Sequence, residues 1–118
     1  MNSVDSILQE IAEVQRASYL IVRTEILEHE NTFLKARIYF KEELYMQVYR
    51  NDEYGTTNFV LILHDERVYG RDEIRGKWHR HPENKPYVHD TSQNGEKAVK
   101  FKEFFEEVKI IIHDLWLI

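Results

Sequence analysis

The sequence predicts an α+β fold: an antiparallel meander of four to five strands, flanked by an N-terminal and a C-terminal helix. Three observations predict it. Residues 3–17 and 95–115 carry apolar side chains at the helical period. Between them, residues 19–70 hold β-branched and aromatic runs that alternate in polarity. The breaks between those runs, at Glu30-Asn31, Glu42-Glu43 and Asn51 to Gly55, are too short for a crossover, so neighbouring strands must pair antiparallel. With 118 residues the chain makes one domain, residues 1–118.

The first helix follows from Val4, Ile7, Leu8, Ile11 and Val14, with Asn2 or Ser3 available as cap. "SYLIVRTEILEH" is β-branched and apolar and reads as the first strand. "TFLKARIYFKE" alternates, with Leu34, Ala36, Ile38 and Phe40 on one face and Lys35, Arg37 and Tyr39 on the other. "ELYMQVYRND" repeats the pattern, with Leu44, Met46 and Val48 against Tyr45, Gln47 and Tyr49. "TTNFVLILHDE" is a fourth strand, and Val68-Tyr69 marks a short fifth. After Gly70 the pattern disappears for about 25 residues, a length at which an irregular run in a compact domain is functional or mobile. The last helix is carried by Ala98, Phe101, Phe104, Phe105, Val108, Ile111, Ile112 and Leu115.

Composition narrows the function classes. A hydrophobic content of 42% suffices for a core without cross-links, and the absence of cysteine excludes disulfides and thiolate metal sites. Sixteen basic against 21 acidic residues give a net charge of −5, which argues against broad nucleic-acid binding. The N-terminus starts uncharged and turns acidic, unlike a signal peptide, and no apolar run reaches the roughly 20 residues that span a bilayer. A soluble, cytoplasmic protein without membrane association is expected.

The chemistry concentrates in "KWHRHPENKPYVHD", residues 77–90, with three of the six histidines and both prolines. If residues 76–81 are extended, Lys77, His79 and His81 share one side and Trp78 and Arg80 the other. Pro82 ends the strand, and Pro86 stiffens a return that brings His89-Asp90 back. Three readings stay open. The segment is a surface loop with incidental histidines. Or His79 and His81 act as acid and base on RNA, without cofactor, beside cations drawn from Arg71, Arg75, Lys77 and Arg80. Or His79, His81 and His89 hold a metal, with Asp90 as ligand or orienting carboxylate. His29, His64 and His113 read as ordinary surface residues. On the polar sheet face, Tyr39, Tyr45 and Tyr49 offer a separate possibility: a non-catalytic platform for nucleic acid or protein, since aromatic rings can stack bases.

The stretch "YGRDEIRGKWHRHPENKPYVHD" resembles the histidine-rich segment of the TumE-type toxin components of toxin–antitoxin systems. Arg71 and Asp72 stand at its start, His79 to Pro82 form its first cluster, and Pro86 to Asp90 its second. The resemblance implies a small toxin-like protein with a cognate antitoxin as partner. It carries a functional role to Arg71, Asp72, His79, His81 and His89, and an RNase activity is typical of such toxins as a class. Finally, the apolar terminus "DLWLI" leads us to expect a homodimer or partner surface at Trp116.

Overall fold

The structure, a computed structural model, describes residues 1–83, 85, 89–115 and 117. Helix α1 (Val4–Ala17) precedes strands β1 (Arg23–Glu30), β2 (Phe33–Lys41), β3 (Leu44–Asn51), β4 (Thr56–Leu63), β5 (Glu66–Ile74) and β6 (Lys77–His81), and helix α2 (Phe101–Asp114) follows. The strands form one antiparallel sheet in sequential order, β1 to β6. The α+β meander between two helices is as expected, but it has six strands, not four to five.

The extra strand has a local cause. β5 does not stop near Gly70 but runs to Ile74, and Arg75-Gly76 turn the chain into β6. Both turn residues have positive φ, 52° and 80°. This is the conformation of a two-residue hairpin turn whose twist matches the flanking strands. His64-Asp65 make the same kind of turn between β4 and β5, with φ of 50° and 64°. The β5–β6 hairpin escapes a hydrophobic-periodicity search because Trp78 is the single large apolar residue in β6.

One face of the sheet is covered by the helices. Leu34, Ala36, Ile38 and Phe40 from β2, Leu44, Met46 and Val48 from β3, Phe59 and Leu61 from β4, Tyr69 from β5 and Trp78 from β6 all join the core. Phe59 sits at its centre, with ring contacts to Phe104 at 5.5 Å, Phe101 at 5.9 Å and Trp78 at 6.3 Å. α1 presents Val4, Ile7, Ile11 and Val14 to this core. Its first turn is closed by a capping box: Ser3 Oγ accepts from the Ser6 N–H and Ser6 Oγ from the Ser3 N–H. Asp52, in the β3–β4 turn, accepts from the Val4 N–H at 3.1 Å and from Arg50 Nε at 2.8 Å, tying the helix start to the sheet.

α2 begins at Phe101 rather than near residue 95. Residues 92–96 form a turn whose Asn94 and Gly95 carbonyls accept from Arg71, and the Val99 carbonyl accepts from the Asn2 amide at 2.9 Å. Those carbonyls are therefore engaged outside any helix. Val99 is buried where the helical stripe would have used Ala98, which is exposed. Trp116, on which the expected dimer surface was centred, lies outside the described residues, as does Pro86. Among the described residues, no helix is long and apolar enough to cross a membrane.

Candidate functional site

Alternation decides which residues of β5 and β6 meet. Arg71 pairs with Arg80, and Asp72 pairs with His79. Successive residues point to opposite faces. Asp72, His79 and His81 therefore stand on the sheet face away from the helices, and Arg71, Trp78 and Arg80 stand on the helix side. The split expected of residues 76–81 is the one observed, with Lys77 on the histidine side.

His89 joins the pair through backbone pairing. Asp90 forms an isolated antiparallel bridge with Arg80: the Arg80 N–H donates to the Asp90 carbonyl at 3.0 Å and the Asp90 N–H to the Arg80 carbonyl at 2.7 Å. The side chains reinforce it, with Arg80 Nε and Nη2 donating to Asp90 Oδ2 at 2.9 and 2.5 Å. The Asp90 carboxyl is held down at about 2, first by hydrogen bonds from Ser92 and then by Arg80. With Asp90 turned toward Arg80, its neighbour His89 is delivered to the opposite face. The three imidazole centroids lie 4.6 Å (His79–His89), 4.8 Å (His81–His89) and 5.0 Å (His79–His81) apart. One ligand nitrogen of each lies within 4.8 Å of the others.

Asp72 is the carboxylate of this cluster. Its Oδ2 lies 3.2 Å from His79 Nε2 and 3.0 Å from His81 Nε2. Its Oδ1 accepts from the side-chain amide of Asn58, the residue opposite it on β4. Both oxygens are thus engaged, which fixes the carboxylate between strand and imidazoles. Gly70 lies opposite His81: a Cβ there would stand 3.2 Å from the Phe59 carbonyl oxygen, a tight approach, and 3.8 Å from His81 Cδ2, an ordinary contact. His81 is 3% exposed, while His79 is partly buried and His89 exposed.

The arginines expected beside the histidines are elsewhere. Arg71, 2% exposed, donates to both oxygens of Glu107 on α2, at 3.1 and 2.7 Å, and to the Asn94 carbonyl at 2.6 Å. It is an inter-element tie, held on the helix side by strand alternation. Glu107 also accepts from the Tyr69 hydroxyl at 2.7 Å, and burial followed by this bond pushes the phenol well above its usual range. Arg80 is committed to Asp90, which is therefore on the wrong face to serve as ligand or orienting carboxylate for the histidines. Asp72 occupies the orienting place. Arg75 is exposed at the β5–β6 turn, and exposed Lys77 shares the histidine face by register.

The tyrosines are divided. Tyr39 and Tyr45 meet across β2–β3 at 5.0 Å and are roofed by arginines, with Arg23 3.7 Å above Tyr39 and Arg37 4.9 Å above Tyr45. At 4% and 7% exposure their faces are closed to a base. Tyr49 is half-buried, packs edgewise on Phe33 at 5.1 Å, and shares a transverse row with Asn58, Asp72 and His79. His29, His64 and His113 lie exposed, away from the cluster. Asn58 and Gly70 had no signal of their own in the sequence. Register alone gives them their place, and it becomes readable once β5 is known to continue past Gly70.

A depression of about 710 Å³ between α1 and α2 lies on the helix side and takes no part in the cluster. Comparisons of this chain with protein-family models, with curated proteins and with solved structures find no match.

Proposed function

We propose that this chain is a toxin-like protein that cleaves RNA from the cluster of Asp72, His79, His81 and His89. One observation carries the reading: three imidazoles and a braced carboxylate converge on the sheet face away from the helices, although sequence separates them by up to 17 positions (89 − 72). A solvated sheet face has no need of such an arrangement. Tyr49 supports RNA as substrate, since it lies in the transverse row of the cluster and an aromatic ring beside a backbone-cleaving site can stack a base. The reaction is attack of the 2′-oxygen on phosphorus with departure of the 5′-oxygen, giving a 2′,3′-cyclic phosphate and a free 5′-hydroxyl.

The purely protein-borne acid–base route expected from the sequence needs cations at the reacting phosphate. Arg71 and Arg80 are engaged on the other face, so Lys77 and Arg75 are the cations left among those expected. A cognate antitoxin as partner and a homodimeric state belong to the same proposal. The non-catalytic reading, a base platform of Tyr39, Tyr45 and Tyr49, is weakened by the arginine roofs over two of the three.

The test is inducible expression with growth and RNA integrity as readouts. Wild type should arrest growth and fragment RNA with 2′,3′-cyclic phosphate ends. Asp72→Ala and His89→Ala should do neither while accumulating as folded protein. Arrest by either variant at the wild-type level would sink the proposal.

A further inference from the structure

We infer that His79, His81 and His89 form a binding site for a divalent transition-metal ion of the zinc class, oriented by Asp72. Three observations carry this. The first is convergence: each imidazole offers a nitrogen, and all three nitrogens lie within 4.8 Å of one another. Small inward rotations bring such a set to the roughly 2.0–2.1 Å nitrogen distances of a zinc centre. Three imidazoles with a position left for water is the arrangement of an open, catalytic zinc site, and imidazole ligands suit zinc, copper, nickel and iron rather than magnesium or calcium.

The second observation is the carboxylate. Asp72 Oδ2 contacts Nε2 of two of the three rings, and Asn58 holds its other oxygen. A carboxylate behind ligating histidines fixes their orientation and raises their basicity. Lone surface histidines have no such second layer.

The third is charge. A cationic neighbourhood would oppose a metal, and Arg80 lies beside both histidines in the chain. Its guanidinium is on the other face and paired with Asp90 at 2.5 Å. Arg71 is paired with Glu107 at 2.7 Å. Asp72 is a carboxylate in contact with two of the imidazoles, so the cluster faces an ion with negative charge; Lys77, Lys35 and Arg37 share its sheet face by register, the last two on β2, three strands away from β5.

That the ion serves RNA cleavage rests on the function proposed above; that it binds does not. In cleavage, the ion would supply the positive charge that the two arginines withhold. As the 2′-oxygen bonds to phosphorus and the bond to the 5′-oxygen breaks, the 2′-oxygen loses its proton and the leaving 5′-oxygen gains one; an ion held by His79, His81 and His89 would supply Lewis-acid charge for that exchange.

The experiment is titration of the full chain, stripped with chelator, with cobalt(II), read by its ligand-field absorption, followed by displacement with zinc. One ion per chain with a tetrahedral or five-coordinate spectrum is expected. His89→Ala should abolish the spectrum, and this variant keeps the sheet, because His89 lies outside every strand and is exposed. Asp72→Asn should weaken binding about 10–100-fold, the usual effect of losing the group behind a ligand. Absence of the spectrum in wild type, or binding unchanged in His89→Ala, would overturn the site. RNA cleavage by stripped and zinc-loaded protein separates the two proposals. Cleavage that needs the ion supports both. Binding without cleavage in either form upholds the metal site and overturns the RNA function. Equal cleavage in both forms upholds the RNA function and removes the ion from it.

Discussion

Asp72 Oδ2 lies 3.0 Å from His81 Nε2, across the β5–β6 pair and on the face away from the helices. One residue earlier, Arg71 points to the opposite face and grips α2 through Glu107. Neighbours in the chain thus have separate tasks, one in the candidate site and one in the fold.

The two positions should therefore give opposite phenotypes. Arg71→Ala should lower stability by about 3 kcal/mol, the low end for breaking a buried ion pair, because Glu107 keeps 27% of its side-chain surface exposed. Chemical denaturation measures this. Asp72→Asn should lower RNA cleavage without a comparable stability loss. A protein that is unfolded by Asp72→Asn, or unaffected in stability by Arg71→Ala, contradicts the assignment.

Asn58 braces Asp72 from β4. Asn58→Ala should cost about 1–3 kcal/mol, the range for losing a hydrogen-bonding partner of a shielded polar group. It should also reduce cleavage less than Asp72→Asn, since the carboxylate itself remains. The ranking of the two variants in a cleavage assay is the check, and the reverse ranking would show that Asn58 acts on substrate rather than through Asp72.

Gly70→Ala tests the close approach of β5 to the Phe59 carbonyl on β4. The added Cβ stands 3.2 Å from the Phe59 carbonyl oxygen and 3.8 Å from the imidazole. The carbonyl oxygen is backbone and the ring is at ordinary contact distance, so the cost falls on the β4–β5 pairing, and overpacking of this kind costs about 1–3 kcal/mol. We expect a lower unfolding midpoint. A wild-type midpoint would mean that the strand relaxes freely at this point.

Tyr69 gives a pH prediction. Its phenol ionises far above the usual value of 10 in the folded chain, because of burial and then the bond to Glu107. In the unfolded chain it ionises near 10. Above that pH the unfolded state has released a proton that the folded state retains, so stability falls as pH rises. Wild type should therefore lose stability above pH 10 more steeply than Tyr69→Phe, while below pH 10 the gap between the two stays constant. Denaturation midpoints from pH 8 upward will show it (on the order of 1.4 kcal/mol per pH unit at the steepest, for one proton). Parallel curves would remove Tyr69 as the cause.

The sequence by itself determined the α+β order, the antiparallel pairing and the inner faces of β2 and β3, because polarity alternation and short turns act locally. Leu34, Ala36, Ile38, Leu44, Met46 and Val48 are buried as their alternation requires. It also singled out His79, His81 and His89 and placed the first two on one side of an extended segment. It could not reveal β6, whose residues are too polar for a hydrophobic pattern and whose pairing depends on an Arg75-Gly76 turn. Nor could it show that Arg71 and Arg80 face the helices, that arginines close over Tyr39 and Tyr45, or that Asp72 rather than Asp90 meets the imidazoles. Those outcomes depend on which strand lies beside which and in what register. Moving a strand by one residue sends every side chain to the other face. Tertiary pairing of β4, β5 and β6 makes that choice, and the Arg80–Asp90 bridge makes it again for His89.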